Sequence, residues 1–81
     1  MERIIYSPKT LGSIIKDQRK AKKLNQTKAG DIFKLNQITI SSIERGAPGT
    51  RLATLFRVLA ALDLEMVIRP KKIKRDKSGE W

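Results

Sequence analysis

The chain has 81 residues, enough for one domain with a modest core, and its 18 Lys and Arg against 8 Asp and Glu give a formal net charge of +10. That charge favours a polyanionic partner: nucleic acid, an acidic membrane surface or an acidic protein. The absence of Cys and His excludes most metal sites and enzyme chemistries, so no catalytic role, metal or cofactor is expected, and the lack of a long apolar run or signal peptide predicts a cytoplasmic protein without a membrane segment.

A first helix is predicted over residues 8–23. Ser7 can cap its free N–H groups, and Pro8 suits the first helical position because a proline has no N–H to satisfy. Leu11, Ile14 and Ile15 follow helical spacing and define the inner face. The outer face is strongly basic.

A second helix is predicted over residues 26–33, with Asn25 as its N-cap. Ala29, Ile32 and Phe33 should point inward. Gly30 lies in the helix interior, where it costs about 1 kcal/mol relative to Ala. We therefore expect a neighbouring helix to cross there so closely that no Cβ fits.

A short connector, residues 34–36, leads into a third helix. Asn36 can cap this helix, and Ile40 and Ile43 point inward. Gly46 should end it in a left-handed conformation. The polar side chains of the helix therefore lie on another face.

A fourth helix is predicted over residues 51–62, with Thr50 as its cap. Its apolar residues form a wide stripe, as expected for a core helix. The stripe consists of Leu52, Leu55, Phe56, Leu59 and Leu62.

The spacing of the apolar residues changes after the fourth helix. Leu64, Met66 and Ile68 recur at every second position, which predicts one strand over residues 64–69. A lone strand needs a partner, since an unpaired apolar edge is a liability. The partner is either the same strand of a second copy, antiparallel about a two-fold axis, or residues 4–6 of the same chain. Residues 1–69 would then form the DNA-binding and dimerisation domain, and residues 70–81 a basic flexible tail.

Residues 24–46 have the layout of a DNA-reading unit: one helix braces across the DNA backbone and a second enters the major groove. Gln37 can pair with adenine, Ile38 can touch a thymine methyl group, and Ser41 and Ser42 can bond to several base edges. A solvated polar face is the alternative, and the charge favours DNA. Candidate phosphate contacts are Gln26, Thr27, Lys28, Thr39, Arg45 and Arg51.

The same stretch resembles the helix-turn-helix of the phage-repressor family (Cro/C1, also called XRE). The resemblance implies a structural ion pair between Arg19 and Glu44, a phosphate contact at Gln26, and base contacts at Gln37, Ile38 and Ser42. Two positions depart from the family pattern. Gly30 replaces the usual Ala, and Lys34 stands where the turn usually has Gly, so a positive φ at a non-glycine residue is expected there. The matching residues are Leu24, Asn25, Gln26, Thr39, Ile40, Ser41, Ile43, Glu44, Arg45 and Gly46.

The chain ends resemble the HipB antitoxins, in residues 5–8, residues 64–68 and the final Glu80 and Trp81. The resemblance implies an all-α domain of four or five helices whose C-terminal strands pair across a homodimer. It further implies a repressor of double-stranded operator DNA that partners a HipA-type Ser/Thr kinase toxin, with Trp81 in a pocket on that toxin; a frayed chain end without a partner is the alternative for Trp81. Two alternatives stay open: a third component neutralises the toxin, or the chain is a basic protein-binding adaptor.

Overall fold

The computed structural model of the chain describes residues 2–71, which contain four helices. They are α1 (Pro8–Ala21), α2 (Gln26–Phe33), α3 (Gln37–Glu44) and α4 (Leu52–Ala61). No helix in this part of the chain is long and apolar enough to cross a membrane. Most of the predicted tail, including Trp81, lies outside the described residues.

Three of the four predicted helix caps are confirmed. The side-chain oxygens of Ser7, Asn25 and Asn36 each accept a hydrogen bond from the backbone N–H three residues later, at 3.1, 2.7 and 2.7 Å. The prediction for Thr50 was wrong. Its hydroxyl donates to the carbonyl of Ala47 at 3.2 Å and so closes the preceding turn, and α4 begins without a side-chain cap.

Eight buried apolar side chains form the core, which all four helices share. The predicted inward positions in α4 were partly wrong, because the helix packs through the stripe that contains Leu55, Val58, Leu59 and Leu62. Leu52 and Phe56 lie on the neighbouring face of the helix and are exposed, as is Ile32 on α2. The buried set is Ile15, Ala29, Phe33, Ile40, Ile43, Val58, Leu59 and Leu62.

The closest helix crossing lies at Gly12 rather than at Gly30. A Cβ on Gly30 would be 2.6 Å from the carbonyl oxygen of Leu35. Residue 30 is therefore a glycine because the connector that follows α2 passes close to it, and not because another helix crosses there. A Cβ on Gly12 would be 2.7 Å from the carbonyl oxygen of Glu44 and closer still to that of Ile43. The C-terminal end of α3 therefore lies directly on the backbone of α1.

Left-handed residues end two of the helices where the sequence predicts them. Gly46 has φ 86°, and its position is crowded as well, since a Cβ there would be 2.8 Å from the backbone N of Lys9. Lys34 has φ 58° and ψ 45° at the end of α2, although it is not a glycine. The turn between α2 and α3 is thus left-handed at a residue that carries a Cβ, at the cost of strain at Lys34.

Residues 64–70 form no strand in the single chain. Leu64 packs against the core and donates its backbone N–H to the carbonyl of Leu59 at 2.8 Å, but Met66, Val67 and Ile68 are exposed. The chain then passes near its own N-terminal segment, where Arg69 lies 3.6 Å from Glu2. Side chains bring these two segments together without backbone pairing, so the predicted strand has no ladder partner within residues 2–71.

Candidate nucleic-acid interface

The N-terminal turns of α2 and α3 meet at one surface, and two glutamines join them. Each glutamine is the first residue of its helix, directly after the asparagine cap. Gln37 Nε2 donates to Gln26 Oε1 at 3.4 Å, and the Thr27 hydroxyl donates to Gln37 Oε1 at 3.4 Å. Both bonds are long, so Gln37 is held loosely while its side chain remains exposed.

A shallow open depression of about 200 Å³ lies on this surface. Ile38 protrudes at its edge with 77% of its area exposed. The depression is small for an organic ligand, but its polar rim faces outward as a groove-reading surface requires. Its walls are Gln26, Gln37, Ile38, Ser41 and Arg45, all of them predicted DNA contacts.

Arg45 lies back along α3 instead of extending into solvent. Its guanidinium donates to the hydroxyl of Ser41, one turn earlier, at 2.5 Å, and approaches that of Ser42 at 3.5 Å. A residue predicted to contact phosphate therefore stands beside two residues predicted to contact bases. Arg51, by contrast, is exposed at the start of α4 and does not line the depression.

A buried ion pair supports α3 on the side that faces the protein interior. Arg19 of α1 donates from Nε to Glu44 Oε2 at 2.6 Å and from Nη2 to Glu44 Oε1 at 3.0 Å. The two side chains are only 6% and 3% exposed. Arg19 Nη1 also donates to the carbonyl of Leu24 at 2.6 Å, so one guanidinium ties α1, the connector before α2 and the end of α3.

The ion pair and the exposed surface are connected, which the sequence did not reveal. Gln26 Nε2 donates to Glu44 Oε1 at 3.2 Å, so Gln26 touches the buried carboxylate on one side and Gln37 on the other. The matching positions of the two glutamines, each directly after a cap, are the only sequence signal for this contact. Every buried side-chain polar atom in residues 2–71 has a hydrogen-bond partner.

Comparison with known proteins places the chain among helix-turn-helix proteins. The family model HTH_3, described as helix-turn-helix, matches residues 15–68. The HTH-type transcriptional regulator y4dL of Sinorhizobium fredii, itself uncharacterized, is 37% identical over 68 residues; these are 84% of this chain but 35% of that protein. The chain thus spans about a third of the length of that relative.

HipB proteins match over nearly the whole chain. The antitoxin HipB of Escherichia coli K12 is 32% identical over 76 residues, which are 94% of this chain and 86% of HipB. The solved structure of a HipA–HipB–O2–O3 complex contains a chain of 31% identity that superposes with a TM-score of 0.80, covering 88% of this chain and all of that one. On both grounds, this chain belongs to the helix-turn-helix family, as a HipB-like member of it.

Proposed function

We propose that the chain is a sequence-specific DNA-binding repressor and the antitoxin of a HipA-type kinase toxin, working as a homodimer on operator DNA in the cytoplasm. The observation that carries the DNA role is the exposed depression at the joined starts of α2 and α3, which is lined by four polar residues and Ile38, in a chain of net charge +10. The antitoxin role is supported by the likeness to HipB, which is named an antitoxin and has been solved together with HipA. No catalytic role is proposed.

Base reading is assigned to Gln37, Ile38, Ser41 and Ser42, which lie on the outward face and first turns of α3. Phosphate binding is assigned to residues around that face. The first turn of α2 supports this role because its free N–H groups and helix dipole favour an anion. The phosphate set consists of Gln26, Thr27 and Lys28 on α2, Thr39 and Arg45 at α3, and Arg51 before α4.

We infer that the homodimer forms through residues 64–68, with Leu64, Met66 and Ile68 in an antiparallel strand pair. Ile68 is 91% exposed in the single chain, and the nearby N-terminal segment does not pair with it, which supports a second copy as the partner. Leu52 and Phe56, exposed on α4, offer further apolar area for such an interface. The domain would then span residues 1–69, and two reading helices about 34 Å apart would face successive turns of DNA.

Truncation tests the dimer. A chain that ends after Leu64 keeps the residue that packs on its own core and loses the exposed part of the strand together with the residues that follow it. We expect this variant to sediment as a folded monomer at concentrations at which the full chain is a dimer. A matched control that ends after residue 71 should remain dimeric. A stable dimer from the short variant would exclude pairing through residues 65–68.

Substitution of Gln37 tests base reading. Gln37→Ala should lose about 1–3 kcal/mol of discrimination at one base pair in each operator half-site, because the variant lacks the side-chain amide that contacts the base edge. Footprinting and binding titrations on the chain's own promoter measure the effect. Arg51→Ala is the control: it should weaken all sequences alike and flatten the salt dependence. Equal weakening on operator and random DNA in Gln37→Ala would make Gln37 a positioning residue, and no footprint at all would favour the basic adaptor.

Co-purification with the kinase toxin tests the antitoxin role. We expect the full chain to retain a HipA-like kinase encoded beside it and to lose at least tenfold in affinity on Trp81→Ala, because a buried indole is a common interface anchor. Tyr6→Ala, at an exposed aromatic residue near the other end of the chain, is the control. Retention of the kinase without loss of its activity would assign neutralisation to a third component. Failure to retain it would contradict the antitoxin role and leave DNA binding intact.

A further inference from the structure

We propose that the buried Arg19–Glu44 pair sets the direction in which Gln37 presents its amide to DNA, acting through Gln26. Arg19, Glu44 and Gln26 would thereby influence which base pair is preferred without touching that base. The inference rests on the proposed function, in which Gln37 reads a base edge. Arg19, Glu44 and Gln26 thus act as positioning residues, whereas Gln37 itself contacts the base.

The buried end of this chain of hydrogen bonds is an acceptor only. Three N–H groups converge on the carboxylate of Glu44, two from Arg19 and one from Gln26 at 3.2 Å. With a side chain 3% exposed, Glu44 has little access to water that could change this pattern. A carboxylate that accepts from Arg cannot also donate, so Gln26 must turn its NH₂ group inward.

The outer end follows from the inner one. With its Nε2 on Glu44, Gln26 turns its Oε1 towards Gln37 and accepts from Gln37 Nε2 at 3.4 Å. Gln37 Oε1 is then left facing the hydroxyl of Thr27, also at 3.4 Å. A hydroxyl can donate or accept, so Thr27 suits either direction. The buried carboxylate of Glu44 therefore decides the direction of all the hydrogen bonds in this series.

A fixed direction matters because base edges are ordered patterns of donors and acceptors. After its internal bonds, Gln37 retains one N–H and one oxygen lone pair for the major groove, in a set order. Adenine offers an acceptor beside a donor, whereas guanine offers two acceptors. An amide free to turn over can adapt to more edges than one held in a single direction. The 3.4 Å contacts are long, so we expect a bias in direction rather than a lock.

Gln26→Met tests the connection while the ion pair stays in place. Methionine has nearly the same length but carries neither the amide donor nor the amide acceptor. In titrations against operators that carry each of the four base pairs at the position identified with Gln37→Ala, the preference should fall roughly fivefold or more. Lys28→Met is the matched control: it removes a phosphate contact on the same turn, so all four sequences should weaken alike and the preference should persist.

The double variant Arg19→Met, Glu44→Leu tests the origin of the direction. It removes the acceptor that draws the NH₂ group of Gln26 inward, so both amide directions become available and the base preference should fall as in Gln26→Met. Circular dichroism verifies that this variant folds, and Gln26→Met decides the question if it does not. A Gln26→Met profile parallel to that of Lys28→Met, or a folded double variant with the wild-type preference, overturns the inference alone. A wild-type protein without base preference overturns the proposed function and the inference together.

Discussion

Glu44→Ala is expected to lower the free energy of unfolding by about 3–5 kcal/mol, because it leaves the guanidinium of Arg19 buried without its counter-charge. Domains of this size have total stabilities of about 5–15 kcal/mol, so the variant should be close to unfolding at 37 °C. Urea denaturation followed by circular dichroism measures the loss. The variant should also bind DNA weakly, since the end of α3 loses its tie to α1 and to the connector before α2.

The double variant Arg19→Met, Glu44→Leu separates the charge from the packing. It removes both charges and fills the space with apolar side chains, so it should recover most of the stability lost in Glu44→Ala. Its base preference, by contrast, should stay reduced, because Leu offers no acceptor to Gln26. A loss below about 1 kcal/mol in Glu44→Ala, typical of exposed pairs, would contradict the view that the pair is a buried support.

Gly12→Ala is expected to cost about 3 kcal/mol, which is large for the addition of one methyl group to a helix. The new Cβ would be 2.7 Å from the carbonyl oxygen of Glu44. Backbone atoms of a packed helix cannot move aside individually, so α1 and α3 must separate. The same shift would pull Arg19 from Glu44 and displace α3, to which we assign base reading, so DNA affinity should fall together with stability.

The neighbouring residue provides the control for Gly12. Ser13 is exposed on α1, and Ser13→Ala should change the free energy of unfolding by less than about 0.5 kcal/mol. Because alanine has a higher helix propensity than glycine, an open site at residue 12 would be stabilised by the substitution instead. A stable Gly12→Ala protein would therefore show that α1 and α3 lie farther apart than the structure has them.

The helix-turn-helix could be predicted from local sequence because its signals are local. Asn25 and Asn36 cap α2 and α3 through hydrogen bonds that span three residues, and these bonds depend little on the rest of the fold. Gly46 and Lys34 mark helix ends by backbone conformation. The DNA contacts inferred from the same stretch remain predictions, since they depend on a partner.

The errors concern residues whose environment depends on a distant element. Phe56 and Ile32 are large apolar residues of the kind found in protein cores, but both are exposed because each helix buries only part of its surface. Thr50 has a side chain that can cap a helix, but its hydroxyl instead donates to the carbonyl of Ala47 in the preceding turn. Gly12 carried no prediction, because the contact that demands a glycine comes from α3, more than thirty residues later.

The sequence by itself determined the four helices, most of their caps, the basic character and the kinship with helix-turn-helix repressors, because periodicity, capping and charge are properties of short stretches. Only the tertiary structure decided that Arg19, Glu44, Gln26 and Gln37 form one connected set. Those residues come from three helices, and hydrogen bonds of about 3 Å depend on how the helices cross. The sequence predicts which residues face DNA, while packing decides how their side chains are held.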